Sequence, residues 1–138
     1  MAVERSEIAF LIERDSEPIG MAGINWRDRH NAELGFWLGV EHWGRGFGTE
    51  AARAVIDYFF ETFDHDRLSA GARVANPRSR KVLEKCGFKW SGVELHRFEA
   101  LRSSSPVDRF RLWRSGWLSL RTGRVRSRDQ GADLTPAD

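Results

Sequence analysis

The stretch that most constrains this chain is His42-Trp43-Gly44-Arg45-Gly46-Phe47-Gly48-Thr49-Glu50, with glycines at alternate positions 44, 46 and 48. Glycine permits dihedrals closed to other residues and lets a ligand approach the main chain. Before the loop, residues 32–40 alternate: Leu34, Phe36, Leu38 and Val40 share one face, and Glu33, Gly35, Trp37 and Gly39 share the other. That period of two is the pattern of a strand. After the loop, Ala52, Val55, Ile56, Phe59, Phe60 and Phe63 recur at helical spacing, with Glu50, Arg53, Asp57 and Glu61 mostly opposite them. Strand, glycine loop and helix in that order bring unpaired N–H groups and the positive end of a helix dipole to one point, which suits a phosphate or pyrophosphate. The glycines do not follow the Gly-x-Gly-x-x-Gly spacing of a dinucleotide fold, and no Gly-Lys-Ser/Thr follows, which excludes a Walker loop. Taken alone, the glycines are also compatible with a plain turn that starts a helix.

The remaining elements follow from local signals. Residues 8–12 and 19–26 read as strands around a turn at Asp15-Ser16-Glu17-Pro18, and residues 27–31 as a polar turn. Asp64-His65-Asp66 ends the first helix, and Leu68, Ala70, Ala72 and Val74 alternate as the next strand. Asn76 and Pro77 are N-cap and N1 residues of a second helix, whose Val82, Leu83 and Cys86 face inward and whose C′ residue is Gly87. Residues 88–98 and 107–113 read as two more strands, joined by a loop over Arg102-Ser103-Ser104-Ser105-Pro106. The sum is an α/β (α+β) fold: a mixed, largely antiparallel sheet flanked by helices, in one domain over residues 1–120. Residues 121–138 lack periodicity and are expected to be a disordered tail.

A chain of 138 residues can bury a real core. With 41% hydrophobic and 30% charged residues it falls in the soluble globular class, and no apolar run approaches the roughly 20 residues of a membrane span. The charged start of the chain does not have the pattern of a signal peptide. A single cysteine excludes an internal disulfide and fits a reducing, cytoplasmic compartment. His30, His42, His65 and His96 lack metal-ligand spacing, so no metal is expected. Net charge is only +2, but residues 97–128 hold nine arginines against Glu99 and Asp108. That block reads either as a solvated surface or as a contact for RNA or an acidic partner.

The residues from Trp43 to Ala51, then Asn76-Pro77-Arg78-Ser79, then Val82-Leu83-Glu84-Lys85-Cys86-Gly87-Phe88, together resemble the GCN5-related N-acetyltransferases. The closest branch is the one that acetylates ribosomal-protein N-termini, and the resemblance covers roughly residues 8 to 118. Trp43 stands where the family usually has Gln or Arg. The resemblance implies acetyl-CoA as cofactor and direct attack by a primary amine, either a protein N-terminus or a small molecule. It implies that the backbone of Arg45, Gly46, Phe47, Gly48 and Thr49 cradles the pyrophosphate. It puts the pantetheine arm beside Leu38, Gly39 and Val40, with Asn76 on an amide of the arm and Ser79 near the sulfur.

The amine must be neutral when it attacks. Glu33, on the face with the glycine trough, is the first candidate base, with a plain solvated carboxylate as the competing reading. Glu94, His96 and Glu99 follow, His96 having a suitable ordinary pKa of roughly 6.5. Many family members protonate the thiolate with a tyrosine. Tyr58, the one tyrosine, lies inside the first helix, so Ser79 is the substitute, with helix capping as the alternative role for it and for Asn76. Cys86 reads as a small buried hydrophobe. The tryptophans read as core, with Trp37 and Trp43 bordering the cofactor.

The family fold usually begins one strand and two helices earlier. The sheet is therefore expected to leave an edge and an apolar patch uncovered, favouring a homodimer or weak acetyl transfer. Two other functions fit the sequence: a non-catalytic acyl-CoA-binding module, and an RNA- or ribosome-associated protein acting through the arginine block.

Overall fold

The computed structural model describes residues 7–124 and 133–136. Three strands, Glu7–Arg14 (β1), Glu17–Asp28 (β2) and Asn31–Leu38 (β3), form an antiparallel meander. Its first turn holds Asp15 and Ser16 at positive φ, 52° and 67°, the handedness that matches strand twist in a two-residue hairpin. At its second turn the Asn31 side-chain amide and the His30 N–H donate to Asp28, which holds that carboxyl below the usual carboxylate range. There follow Phe47–Thr62 (α1), Arg67–Arg73 (β4), Pro77–Lys85 (α2), Lys89–Phe98 (β5), Ser103–Trp113 (β6), Arg114–Arg124 (α3) and Asp133–Pro136 (β7).

The seven strands lie in the order β5-β6-β4-β3-β2-β1-β7, and β3–β4 is the parallel junction between two antiparallel groups. That junction is short. Glu33 pairs with Ser69 and Leu34 with Ala70, after which β3 continues on β2 and β4 continues on β6 without pairing each other. A gap therefore opens in mid-sheet toward Leu38 and Arg73.

The helices pack on one face of the sheet. Val55, Ile56 and Phe59 of α1, Leu83 of α2 and Trp117 of α3 close over Ile12, Ile24, Leu34, Leu68, Ala70 and Phe110. On the other face, among the described residues, no helix covers the sheet. Met21 and Trp37, register partners there, are 40% and 65% exposed.

The C-terminus of α1 has no basic residue of its own in its last turn. Arg114, at the start of α3, supplies the missing donors: it reaches the carbonyls of Phe60 (2.8 Å), Phe63 (2.6 Å) and His65 (3.0 Å). Its guanidinium lies 5.1 Å from the Phe60 ring.

Two expectations need correction. Residues 103–106 are not a loop but the start of β6, pairing from Phe98↔Ser103 to Leu95↔Pro106. The turn is the short Glu99–Leu101 helix, closed by Arg102 at φ 52°. β4 does not pair beyond Val107, so Pro106 lies where a missing N–H is tolerated. Of the tail expected over 121–138, Arg121 continues α3 and pairs with Glu61, and Asp133–Pro136 pairs antiparallel with β1. Residues 125–132 and 137–138 lie outside the described residues. Over Phe10–Glu13 the outer edge of β1 is therefore occupied. No described helix is long and apolar enough to cross a membrane.

Candidate functional site

At the glycine loop the backbone turns twice through positive φ, 77° at Gly44 and 84° at Gly46. Gly46 is the N-cap of α1, and no side chain caps that end. The first intrahelical bond runs from the Glu50 N–H to the Gly46 carbonyl (3.0 Å), so the N–H groups of Phe47, Gly48 and Thr49 precede the helical ladder. Trp43 ties the loop to the end of β3: its indole N–H donates to the Leu38 carbonyl at 2.9 Å.

Facing this loop is the start of α2. Asn76 caps it, its Oδ1 accepting from the Ser79 N–H (3.4 Å) and its Nδ2 donating to Ser79 Oγ (3.1 Å). Ser79 Oγ still has its own proton to donate. Between loop and helix lies a cleft of about 320 Å³ that extends to Phe36, Trp37 and Leu38 at the open end of β3. Arg78, Lys81 and Lys85 line it from α2 and form no ion pair among the described residues; Arg78 also lies 4.9 Å from the Trp43 ring. Reading α2 for its caps missed these cations, although their i, i+3, i+7 spacing puts them on one face.

The residues expected to hold a pyrophosphate divide. Gly46, Gly48 and Thr49 line the cleft. Phe47 is buried beneath Arg14, 4.9 Å away, and Arg45 is exposed; neither lines the cleft. Leu38, Asn76, Ser79, Trp37 and Trp43 line the cleft, but Gly39 and Val40 do not. The Gly39 N–H donates to Ile19 and its carbonyl accepts from His42, while Val40 opens the Val40–His42 turn. The strand edge open to a ligand is accordingly that of residues 35–38 rather than 38–40.

Glu33 occupies a different place. It lines a second, charged cleft of about 410 Å³ on the helix-free face, with its Oε2 2.6 Å from Arg27 Nε and 2.9 Å from Arg109 Nη2. Arg109 reaches it from β6 by crossing β4 over Gly71, where a Cβ would sit 2.7 Å from Arg109 Nη1. The guanidinium thus needs a glycine beneath it. Glu94 lines the same cleft, 3.8 Å from Arg109 Nε. His96 packs beside Phe98 and Glu99 pairs with Arg97, both outside the cleft. Glu33 and Ser79 therefore belong to opposite faces of the sheet, in clefts that share no lining residue.

The remaining candidates settle simply. Tyr58 packs edge-on against Phe10, away from both clefts. Cys86 is buried, its Sγ 3.8 Å from the Thr49 carbonyl. Four of the nine arginines in the block have partners: Arg109 holds Glu33, Arg114 caps α1, Arg97 pairs with Glu99 and Arg121 with Glu61. No group of three His, Cys, Asp or Glu residues that could hold a metal occurs among the described residues.

The mid-sheet gap between β3 and β4, the uncapped α1 N-terminus and three cations of α2 thus meet at one cleft. Residues 2–89 match the acetyltransferase (GNAT) domain, and the chain belongs to that family. Acetyl-CoA is the cofactor of GNAT acetyltransferases, and the open N–H groups and cations described above fit its phosphates. An uncharacterized N-acetyltransferase p20 of Bacillus licheniformis is 34% identical over 92 residues, 65% of this chain and 52% of that protein. The ribosomal-protein-serine acetyltransferase of Escherichia coli K12 is 33% identical over 85 residues, 60% of this chain and 48% of that protein. The chain spans about half the length of the curated relatives it matches. Among solved structures, a probable acetyltransferase superposes with a TM-score of 0.68 at 30% identity, covering 75% of this chain and 59% of that one. Spermidine N-acetyltransferase from Vibrio cholerae, in complex with CoA and spermine, superposes with a TM-score of 0.72 at 24% identity, covering 83% and 70%, and shares the fold.

Proposed function

We propose that this chain is an acetyl-CoA-dependent N-acetyltransferase acting on a primary amine. The observation that carries this reading is the uncapped α1 N-terminus opening into the mid-sheet gap, with Arg78, Lys81 and Lys85 beside it. The N–H groups of Phe47, Gly48 and Thr49 and the helix dipole bind the pyrophosphate. The three cations take the remaining phosphate charge. The open edge of residues 35–38 receives the pantetheine arm as an added strand, with Asn76 and Ser79 facing it. When bound, acetyl-CoA supplies an acyl group on a thiolate leaving group.

The two sides of the sheet divide the proton work. Glu33, with Oε2 tied to Arg27 and Arg109, takes the amine proton on the open face as the amine nitrogen attacks the acyl carbon. Ser79 Oγ donates a hydrogen bond to the departing sulfur as the C–S bond breaks, and the thiolate takes its proton from water. Relatives named for acetylating a ribosomal protein and for acetylating spermidine support an amine acceptor and leave both classes in play. The open face with Trp37 and Met21 supports self-association, which sedimentation reads directly.

The test is thiol release from acetyl-CoA over a panel of amines, together with thermal denaturation with and without the cofactor. Glu33→Gln lowers turnover by about 10²-fold while leaving the cofactor-induced melting shift intact, and Ser79→Ala lowers it less. Unchanged turnover in Glu33→Gln removes the base assignment. Stabilisation by acetyl-CoA without thiol release on any amine replaces the transferase with an acyl-CoA-binding module.

A further inference from the structure

Strand register builds a row of side chains across the helix-free face. Asn25 on β2, Glu33 on β3, Ser69 on β4, Arg111 on β6 and Lys89 on β5 are successive register partners. Register partners point to one face, so an acid and a cation stand two strands apart, with a hydroxyl between them. At about 4.8 Å per strand, Glu33 and Arg111 are rooted roughly 10 Å apart.

The charges of this cleft are unevenly matched. Glu33 is held by Arg27 and Arg109, Glu94 lies by Arg109, and Asp28 accepts from Asn31 and His30. Arg111 has no carboxylate partner among the described residues. Arg67, its diagonal neighbour across β4 and β6, donates only to the neutral Asn31 Oδ1 (2.8 Å) and lies 5.7 Å from the Trp113 ring. Four arginines thus meet three acids in the cleft, and two adjacent ones, Arg111 and Arg67, form no ion pair among the described residues.

We propose that this cleft selects an acceptor amine that also carries a carboxylate, with the amine at Glu33 beside the mid-sheet gap and the carboxylate at Arg111 and Arg67. The proposal rests on the transferase reading and names its acceptor class. In an amino acid or an acidic peptide N-terminus, ammonium and carboxylate lie a few ångströms apart. One charge-assisted hydrogen bond of about 2.8 Å at each end extends that to a span of about 9 Å between side-chain ends, within reach of side chains rooted roughly 10 Å apart. Ser69 stands where its hydroxyl can donate to the carboxylate or accept from the amine. A polyamine would instead set its second cation against Arg111 and Arg67, and like charges in a cleft discriminate against a partner.

The decisive experiment is calorimetric titration of the protein saturated with CoA. Two matched pairs serve as probes: alanine against alaninamide, and an Ala-Asp peptide amide against its Ala-Asn counterpart, with spermidine alongside. In at least one pair the carboxylate form is expected to bind about tenfold or more tighter than its partner, and the pair with the larger ratio identifies whether an α-carboxylate or a side-chain carboxylate is read. Arg111→Gln brings that ratio to about one, and Arg111→Lys retains part of it. Neither variant changes the melting shift produced by acetyl-CoA. Equal binding within both pairs, tighter binding of spermidine, or a ratio that survives Arg111→Gln overturns the proposal. Because binding is read without turnover, a carboxylate preference in a protein that transfers nothing sinks the transferase reading and leaves the cleft assignment standing. Equal transfer to both members of each pair, with equal affinities, does the reverse.

Discussion

Gly48→Glu is expected to abolish the stabilisation that acetyl-CoA confers on this protein. At about a hundred times its dissociation constant, a ligand that binds only the folded state adds roughly 2.7 kcal/mol. In a chain of 138 residues that is a melting shift on the order of 10 °C. The glutamate would stand among the N–H groups of the first turn of α1, filling the pyrophosphate position with bulk and negative charge. The same substitution leaves the fold sound: a Cβ at Gly48 meets only Val82 Cγ2, at an ordinary 3.6 Å. An acid in the first turn also suits the helix dipole. The apo melting temperature should hold steady or rise slightly while the ligand shift disappears, which separates lost binding from lost folding. A full acetyl-CoA shift in Gly48→Glu would show that the phosphates lie elsewhere.

Arg114→Ala should destabilise the fold by about 3 kcal/mol, which lowers the melting temperature by roughly 10–15 °C. Three carbonyls at and beyond the end of α1 lose a charged donor at once, and hydrogen bonds to charged groups are among the more valuable ones. The stem and guanidinium also lie over the stacked Phe60 and Trp117 rings, and that contact is lost. Arg114→Lys keeps the charge but not the planar fork, and should recover only part of the loss. α1 is 16 residues long, so its two ends are roughly 24 Å apart, and neither variant should alter acetyl-CoA affinity in protein that is still folded. Urea titration reads the first effect and calorimetry the second. A loss below about 1 kcal/mol for the alanine variant would mean that water caps those carbonyls just as well.

What could be read from sequence was what depends on neighbours in the chain. The period of two in β3, the helical period in α1, the Asn76-Pro77 start and the Gly87 stop at φ 94° each follow from a few adjacent residues. The glycine loop was legible for the same reason, since bare backbone next to a helix start is a local property. Arg78, Lys81 and Lys85 share a face by their spacing, but cations on an exposed helix face are read first as solvent-facing. What could not be read depends on which strands meet. Glu33 and Arg109 are 76 residues apart, and nothing near Glu33 in the chain announces that an arginine will cross Gly71 to hold it. The serines at 103–105 lack apolar alternation because β6 is an exposed ribbon there, paired to β5 but not to β4. The Arg114 cap spans 49 to 54 positions, and the pairing of β7 with β1 spans more still.

The brevity of the β3–β4 ladder has a consequence for how the molecule comes apart. Two register pairs are the only backbone ladder among the described residues between a four-stranded group, β7-β1-β2-β3, and a three-stranded group, β4-β6-β5, with the α1 crossover and the Arg109–Glu33 and Arg67–Asn31 contacts beside it. Amide hydrogen exchange should therefore reveal two protection units in the unliganded protein, with the slowest amides deep within each group and the fastest strand amides at residues 35–38 and 71–73. A ligand arm lying in the gap would supply the ladder that the chain itself leaves out. Acetyl-CoA would then act as a suture, merging the two units into one that opens cooperatively.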